Sequence, residues 1–186
     1  MRVIFLAIFA LVGGCLPHAG SVQAPNATPT ALAAVLTRTQ TEGGPSVTAI
    51  PDAAEHRLEA VLAAHNLNAV SVPGAVDAFS VRRTTPLRLS WLSTASTEAP
   101  ITVLVEAEAR FFSPLGGQYR WTVAVSASVV SRGGEPATDS FEVPVFLSYD
   151  HEAEPEALED AMPVIERHLG ALLDNTLRGL GAGTKG

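Results

Sequence analysis

The stretch of sequence that decides the fold is residues 101–149, ITVLVEAEARFFSPLGGQYRWTVAVSASVVSRGGEPATDSFEVPVFLSY. Apolar residues occupy every second position in three successive runs, and a pair of glycines separates each run from the next, at residues 116–117 and 133–134. Alternation with a period of two is typical of strands that bury one face. The stretch therefore predicts three consecutive antiparallel strands, a β-meander.

The parity of residue numbers predicts how the first two strands pair. Their apolar faces coincide only when the numbers of paired residues add to an even value, because side chains alternate between faces. A three-residue loop at residues 115–117 meets this condition, and it pairs Pro114 with Gln118 and Phe111 with Trp121. Glycine suits the left-handed position of such a loop.

Helical patterns flank the meander on both sides. Residues 52–65 begin with Asp52 and Glu55, whose spacing resembles a capping box, and apolar residues then recur at helical intervals. Residues 155–177 have a longer apolar stripe, in which Pro163 should kink the helix or split it. Both helices can cover one sheet face. We therefore predict an α+β fold, a two-layer sandwich of an antiparallel β-meander with two helices packed on one face.

The remaining segments give weaker patterns. Residues 31–38, ALAAVLTR, are predicted to form a short helix, and residues 69–72 a short strand after the first long helix. Residues 79–83 and 87–92 are predicted as two short strands that Thr85-Pro86 separates.

The first fifteen residues predict export. Arg2 places positive charge at the N-terminus, and residues 3–12 form an unbroken apolar run. A helix needs about 20 residues to cross a bilayer, so this run suits the core of a cleaved signal peptide. The run leads into residues 12–15, VGGC, which resemble the lipobox of bacterial lipoproteins.

The lipobox resemblance implies that the thiol of Cys15 receives a diacylglyceryl group, that residues 1–14 are cleaved, and that the new amino terminus is acylated. Two or three acyl chains would hold the protein on the membrane almost permanently, at about 0.8 kcal/mol per buried methylene. Leu16, rather than aspartate, follows the cysteine, which favours the periplasmic side of the outer membrane. An ordinary signal with an incidental Cys15, cleaved after Ala19 or Ala24, is the alternative.

Composition limits the partners and the compartment. Residues 15–30 are rich in proline, alanine and threonine and predict a lipidated N-terminus with a flexible tether, followed by a single domain at 31–180 and a disordered tail at 181–186. The formal net charge of −7 and the absence of a basic cluster argue against nucleic acid. Cys15 is the only cysteine, so the protein has no internal disulfide.

Catalytic motifs are absent from the sequence. It contains no G-x-S-x-G, S-x-x-K, H-E-x-x-H or phosphate-binding glycine loop. Glu106 and Glu108 share a strand face about 7 Å apart, a spacing that a paired-carboxylate hydrolase can use. His151 lies in an acidic turn, where a weak cation site is conceivable, but a solvated loop explains it better. We predict a protein without cofactor or metal that is not an enzyme, with an envelope hydrolase or small-ligand binder as the alternative.

The outer face of the predicted meander offers a partner surface. Three apolar side chains, Leu104, Phe112 and Phe146, stand there among small and hydroxylated residues. Pro144 cannot donate a ladder hydrogen bond, so the third strand should lie at a sheet edge or have a bulge, and an edge permits strand addition.

The order helix, meander, helix behind a lipobox is similar to that of periplasmic accessory lipoproteins, such as those that assist lipopolysaccharide assembly or curli-type secretion. The similarity covers residues 50–180 and concerns element order. It implies a binding or assembly role with an envelope protein partner, in addition to the membrane contact through the lipid anchor.

Overall fold

A computed structural model describes residues 26–38, 45–148 and 153–183. The signal peptide, Cys15, most of the tether and His151 lie outside the described residues. The α+β class is confirmed, with helices packed against a six-stranded sheet of mixed orientation.

The described elements are four helices and six strands. In chain order they are β1 (Thr28–Arg38), β2 (Ser46–Ala49), α1 (Asp52–Ala64), β3 (Leu67–Ser71), α2 (Ala75–Val81), α3 (Thr85–Ala95), β4 (Ile101–Leu115), β5 (Gln118–Ser131), β6 (Ala137–Ser148) and α4 (Ala153–Gly183). The sheet order is β2-β1-β4-β5-β6, and β3 also pairs with β1. Strand β1 runs parallel to β3 and β4, and the other pairs are antiparallel.

The predicted meander is confirmed as β4, β5 and β6. Phe111 pairs with Trp121, as parity predicted. Strand β6, which contains Pro144, pairs only with β5 among the described strands, so the predicted edge position is confirmed. The edge tolerates Pro144 because a strand there needs hydrogen bonds on one side only.

The turn between β4 and β5 is shorter than predicted. Pro114 pairs with Tyr119 rather than with Gln118, which leaves a two-residue loop. Its residues, Gly116 and Gly117, have φ angles of 59° and 86°. Both angles lie in the left-handed region that two-residue hairpin turns require, and glycine adopts it without steric cost.

A β-bulge at Phe112 reconciles this turn with the pairing farther along the hairpin. The register passes from the Phe111 pair directly to the pair of Ser113 with Arg120, so Phe112 is an additional residue in β4. The sum of paired residue numbers changes from even to odd at this point. Parity was therefore correct for the body of the hairpin and could not reveal the inserted residue.

The predicted helix at residues 31–38 is wrong, because this segment is strand β1. It lies between β4 and the pair β2 and β3, and both of its faces are buried. A strand buried on both faces reads as a continuous apolar run, which periodicity alone cannot distinguish from a buried helix. The strand begins at Thr28, inside the range predicted as tether.

The two predicted short strands at residues 79–83 and 87–92 are also wrong, because helices α2 and α3 occupy these positions. Gly74, at a φ of 77°, precedes α2. Pro86 lies in the first turn of α3, where its missing N–H costs nothing. Proline at that place starts a helix instead of separating two strands.

The two long helices have the predicted positions, with differences at their ends and in α4. Helix α1 has Pro51 at its N-cap and no side-chain cap, so the predicted capping box does not form. Helix α4 continues through Pro163 without splitting and reaches Gly183, beyond the domain end predicted at residue 180.

Two hydrophobic cores lie on opposite faces of the sheet. On the inner face, α1 and α4 cover β1, β4, β5 and β6, as predicted for the two helices. On the outer face, α2 and α3 cover β1 and the first part of β4. The second core includes Ala31, Ala33, Val35, Phe79, Leu89, Leu92 and Leu104. The outer face of β5 and β6 has no such cover from the described helices, and the candidate site lies there.

Candidate binding surface on the outer face of the sheet

The predicted exposure of Leu104 on the partner surface is wrong. Leu104 is fully buried in the second core, under α2 and α3. Leu104 was expected to be exposed because residues 79–83 and 87–92 were predicted as strands. These segments lie in helices α2 and α3, which cover the outer face of the sheet at Leu104. Leu104 therefore stabilises the fold.

A buried ion pair attaches α3 to the outer face. Arg88 donates a hydrogen bond from Nη1 to Glu106, and Thr85 donates to the other oxygen of Glu106 at 2.5 Å. Arg88 also donates to the carbonyl oxygens of Arg82, at 2.7 Å, and Phe79, at 3.1 Å. The side chains of Arg88 and Glu106 are only 9% and 11% exposed. This network fixes α2 and α3 relative to β4.

Glu108, next to Glu106 on the same strand face, pairs with a different cation. Arg110 donates to Glu108. The hydrogen bond from Arg110 to Glu108 and the negative charge of Glu108 raise the pKa of Arg110, and the charge of Glu142 adds a smaller contribution. Because each of the two glutamates is bound by its own arginine, the arrangement does not favour the paired-carboxylate chemistry considered for them.

A groove runs between α3 and the uncovered part of the sheet. One cavity of about 660 Å³ has Thr85, Ser126, Ser140 and Glu142 in its lining, and a second of about 550 Å³ shares the first three of these residues. Ser140 donates to Ser126 at 3.4 Å, so hydroxyl groups form part of the shared floor. The groove is open to solvent and does not enclose a ligand.

The other two predicted surface residues lie at the far end of the same face, around an arginine. Phe112 and Phe146 are 66% and 48% exposed. Arg120 pairs directly with Phe146 across β5 and β6, and its guanidinium carbon lies 4.6 Å from the centre of the Phe112 ring. We call Phe112, Arg120 and Phe146 the tip triad.

The bulge in β4 explains why the tip triad forms. At a bulge, two residues of one strand face a single residue of the next. Phe112 and Ser113 therefore both oppose Arg120, and the ring of Phe112 covers the guanidinium in a cation–π contact. The sequence analysis identified the two phenylalanines and missed Arg120. The alternation placed Arg120 on the outer face, but only the bulge brings Phe112 over it.

No three histidine, cysteine, aspartate or glutamate side chains in residues 26–38, 45–148 and 153–183 are arranged to hold a metal ion. Within the same residues, no helix has the length and apolar character needed to cross a membrane.

Known proteins resemble this chain in fold. No family model and no curated protein matches the sequence. Among solved structures, a variant of the PelC dodecamer from Paraburkholderia phytofirmans is 15% identical, with 80% of this chain and 89% of that chain covered and a TM-score of 0.44. Lipoprotein GNA1162 from Neisseria meningitidis is 13% identical, with 76% and 96% covered and a TM-score of 0.40. The similar structures thus include bacterial lipoproteins.

Proposed function

We propose that the protein is a lipid-anchored lipoprotein of the bacterial envelope that acts as a non-catalytic binding or assembly module. The observation that supports this proposal is the tip triad, in which two exposed phenylalanines flank one arginine at the end of a rigid sheet. Aromatic residues and arginine are enriched in protein interfaces and dominate their binding energy. The tip triad is therefore the proposed docking site for an envelope protein.

The rigidity of the tip supports docking. Strands β4, β5 and β6 pair on both sides of the bulge at Phe112, so Arg120 and Phe146 lie on a hydrogen-bonded backbone before any partner arrives. A preorganised surface loses little conformational entropy on binding. Exposed aromatic rings placed on such a backbone lose contact with water when a partner covers them.

The anchoring half of the proposal rests on residues 12–15 and is tested separately. Full-length protein and a Cys15→Ala variant are expressed in a Gram-negative host with labelled palmitate, and the membranes are separated by density. We expect label on the wild-type protein in the outer-membrane fraction and none on the variant. Label on neither protein would contradict lipidation, and label only in inner-membrane fractions would contradict the proposed location.

The docking half is tested with a photo-crosslinking amino acid in the full-length, membrane-bound protein. Gln118 is exposed beside the tip triad without belonging to it, and Val81, 75% exposed on α2, is the matched control position. We expect one protein to be captured from position 118 and not from position 81. Capture should fall sharply in Phe112→Ala and Phe146→Ala variants. Equal capture at both positions, or no protein adduct at position 118, would contradict docking at the tip.

The groove supports a second candidate function, the binding of a small or extended ligand. Its two cavities share a floor of serine hydroxyls and lie beside a charged network, which suits a ligand with several hydroxyl groups. A Ser126→Phe variant would fill the shared floor. If the groove binds such a ligand, this variant should no longer retain the ligand that mass spectrometry detects on the wild-type protein purified from membranes, while the Gln118 adduct persists.

A further inference from the structure

We infer that the tip triad binds an acidic site on its partner, a carboxylate flanked by apolar side chains, at the end of the domain remote from the membrane anchor. This inference rests on the proposed docking function and specifies the chemistry of the partner. It follows from the state of Arg120 and from the direction of the strands.

Arg120 has no acidic partner among the described residues. Four other arginines each pair with a glutamate, namely Arg38, Arg57, Arg88 and Arg110. No carboxylate of the described residues lies within ion-pair distance of the Arg120 guanidinium, and its Nε atom is shielded from solvent. Its guanidinium lies over the ring of Phe112. A cation that has lost part of its hydration gains most from a carboxylate ligand.

The two phenylalanines define the rest of the partner site. The guanidinium of Arg120 lies over the ring of Phe112, and Phe146 is paired with Arg120 on the neighbouring strand, so a carboxylate that binds Arg120 would lie close to two exposed rings. Apolar side chains beside that carboxylate would cover the rings and exclude water. Exclusion of water strengthens the charge-assisted hydrogen bonds, which the planar fork of arginine can make in pairs.

Strand direction places the tip triad away from the anchor. Thr28 begins β1, which runs parallel to β4 with Thr30 opposite Ile101, so the tether enters at the Ile101 end of the sheet. Phe112 lies eleven residues beyond Ile101, which corresponds to about 36 Å along an extended strand. A tether of the predicted kind, thirteen residues from Cys15 to Thr28, would span about 20 Å on average. The tip triad therefore lies at the end of the sheet opposite the point where the chain from Cys15 enters, where a protein partner can reach it without displacing the anchor.

The test uses the full-length, membrane-bound protein with the photo-crosslinking amino acid at position 118. Capture by this protein is compared with capture by three variants of Arg120. We expect the protein adduct to fall at least tenfold in Arg120→Gln and Arg120→Glu and to fall less in Arg120→Lys, which retains the charge. The cross-linked partner peptide, identified by mass spectrometry, should lie beside an aspartate or glutamate with apolar neighbours. Reversal of that residue to arginine should restore capture by Arg120→Glu.

Each other outcome overturns a specific statement. A protein adduct that is unchanged in Arg120→Gln overturns the acidic-site inference and leaves docking at the tip intact. A phospholipid adduct shows that the tip faces a membrane, and it overturns the inference. A control with Asp150→Asn and Glu152→Gln removes two acidic side chains from the segment between β6 and α4. If this double variant, with Arg120 unchanged, lowers the protein adduct as much as Arg120→Gln does, the guanidinium is bound by an acidic residue of its own chain and the inference is wrong.

Discussion

Arg88 of α3 and Glu106 of β4 form a buried ion pair that holds two helices against the outer face of the sheet. Thr85 and the carbonyl oxygens of Arg82 and Phe79 complete its hydrogen bonds. A buried ion pair of this kind adds little to the free energy of unfolding, because burial of both charges costs desolvation energy. Removal of only one partner is strongly destabilising, because it leaves the other charge buried and unpaired.

We therefore predict different effects for single and double substitutions at this pair. Arg88→Met should lower the free energy of unfolding by about 3–5 kcal/mol, because Glu106 would remain buried without its cation. Arg88→Met with Glu106→Leu should recover much of that loss. Urea denaturation followed by circular dichroism measures both. A double variant as unstable as the single one would show that the helices depend on the pair itself.

Leu104 and Phe112 lie on the same sheet face and should respond in opposite ways to substitution. Leu104→Ala should destabilise the protein by about 2–5 kcal/mol, because it leaves a cavity in the second core. Phe112→Ala should change stability by no more than about 0.5–1 kcal/mol, because the side chain is 66% exposed, and it should reduce partner capture. Loss of capture in a stable Leu104→Ala variant would contradict the structural role of Leu104.

The contrast between these two residues shows what the sequence could predict. Alternation placed Leu104, Phe112 and Phe146 on one face, and the exposure of the two phenylalanines agrees with that placement. The burial of Leu104 depends on α2 and α3, whose short apolar segments are compatible with either helix or strand. Tertiary packing determines whether such segments form helices or strands. Local patterns therefore could not predict that helices cover the outer face of the sheet.

Strand β1 shows the same limit in the reverse case, a strand that was predicted as a helix. Its central position exists because β4 pairs with it in parallel over eight residues, which is a contact between distant parts of the chain. The segment itself contains alanines and leucines that favour a helix in isolation. The antiparallel meander was predictable because its strands are neighbours in sequence and their turns contain glycine.

The bulge at Phe112 should be removable without loss of the fold. The pairs Phe111–Trp121 and Ser113–Arg120 flank it, so deletion of Phe112 leaves a continuous ladder. We expect unfolding free energy to change by about 1 kcal/mol or less, while partner capture at position 118 is lost. Deletion of Ala109, which is buried, is the control, because it would move residues 110–112 of β4 to the opposite face. If both deletions unfold the protein equally, the bulge is required for folding.

Pro163 should lower the stability of α4, so its substitution should stabilise the protein. It lies inside a helix that continues past it, where proline cannot donate a hydrogen bond and its ring crowds the preceding turn. Its side chain is exposed, so alanine would lose little packing. We predict that Pro163→Ala raises the free energy of unfolding by about 1–3 kcal/mol, since the restored helix outweighs the greater freedom of the unfolded chain.

Thermal unfolding measures this effect, with Asp160→Ala at an exposed position of the same helix as the control. The melting temperature should rise by about 2–4 °C for each kcal/mol gained, and the control should change it little. A lower melting temperature in Pro163→Ala would mean that a bend at Pro163 fits α4 to the curvature of the sheet. In that case the helix would pack less well on β5 and β6 when straight, and the same variant should expose more of the inner core.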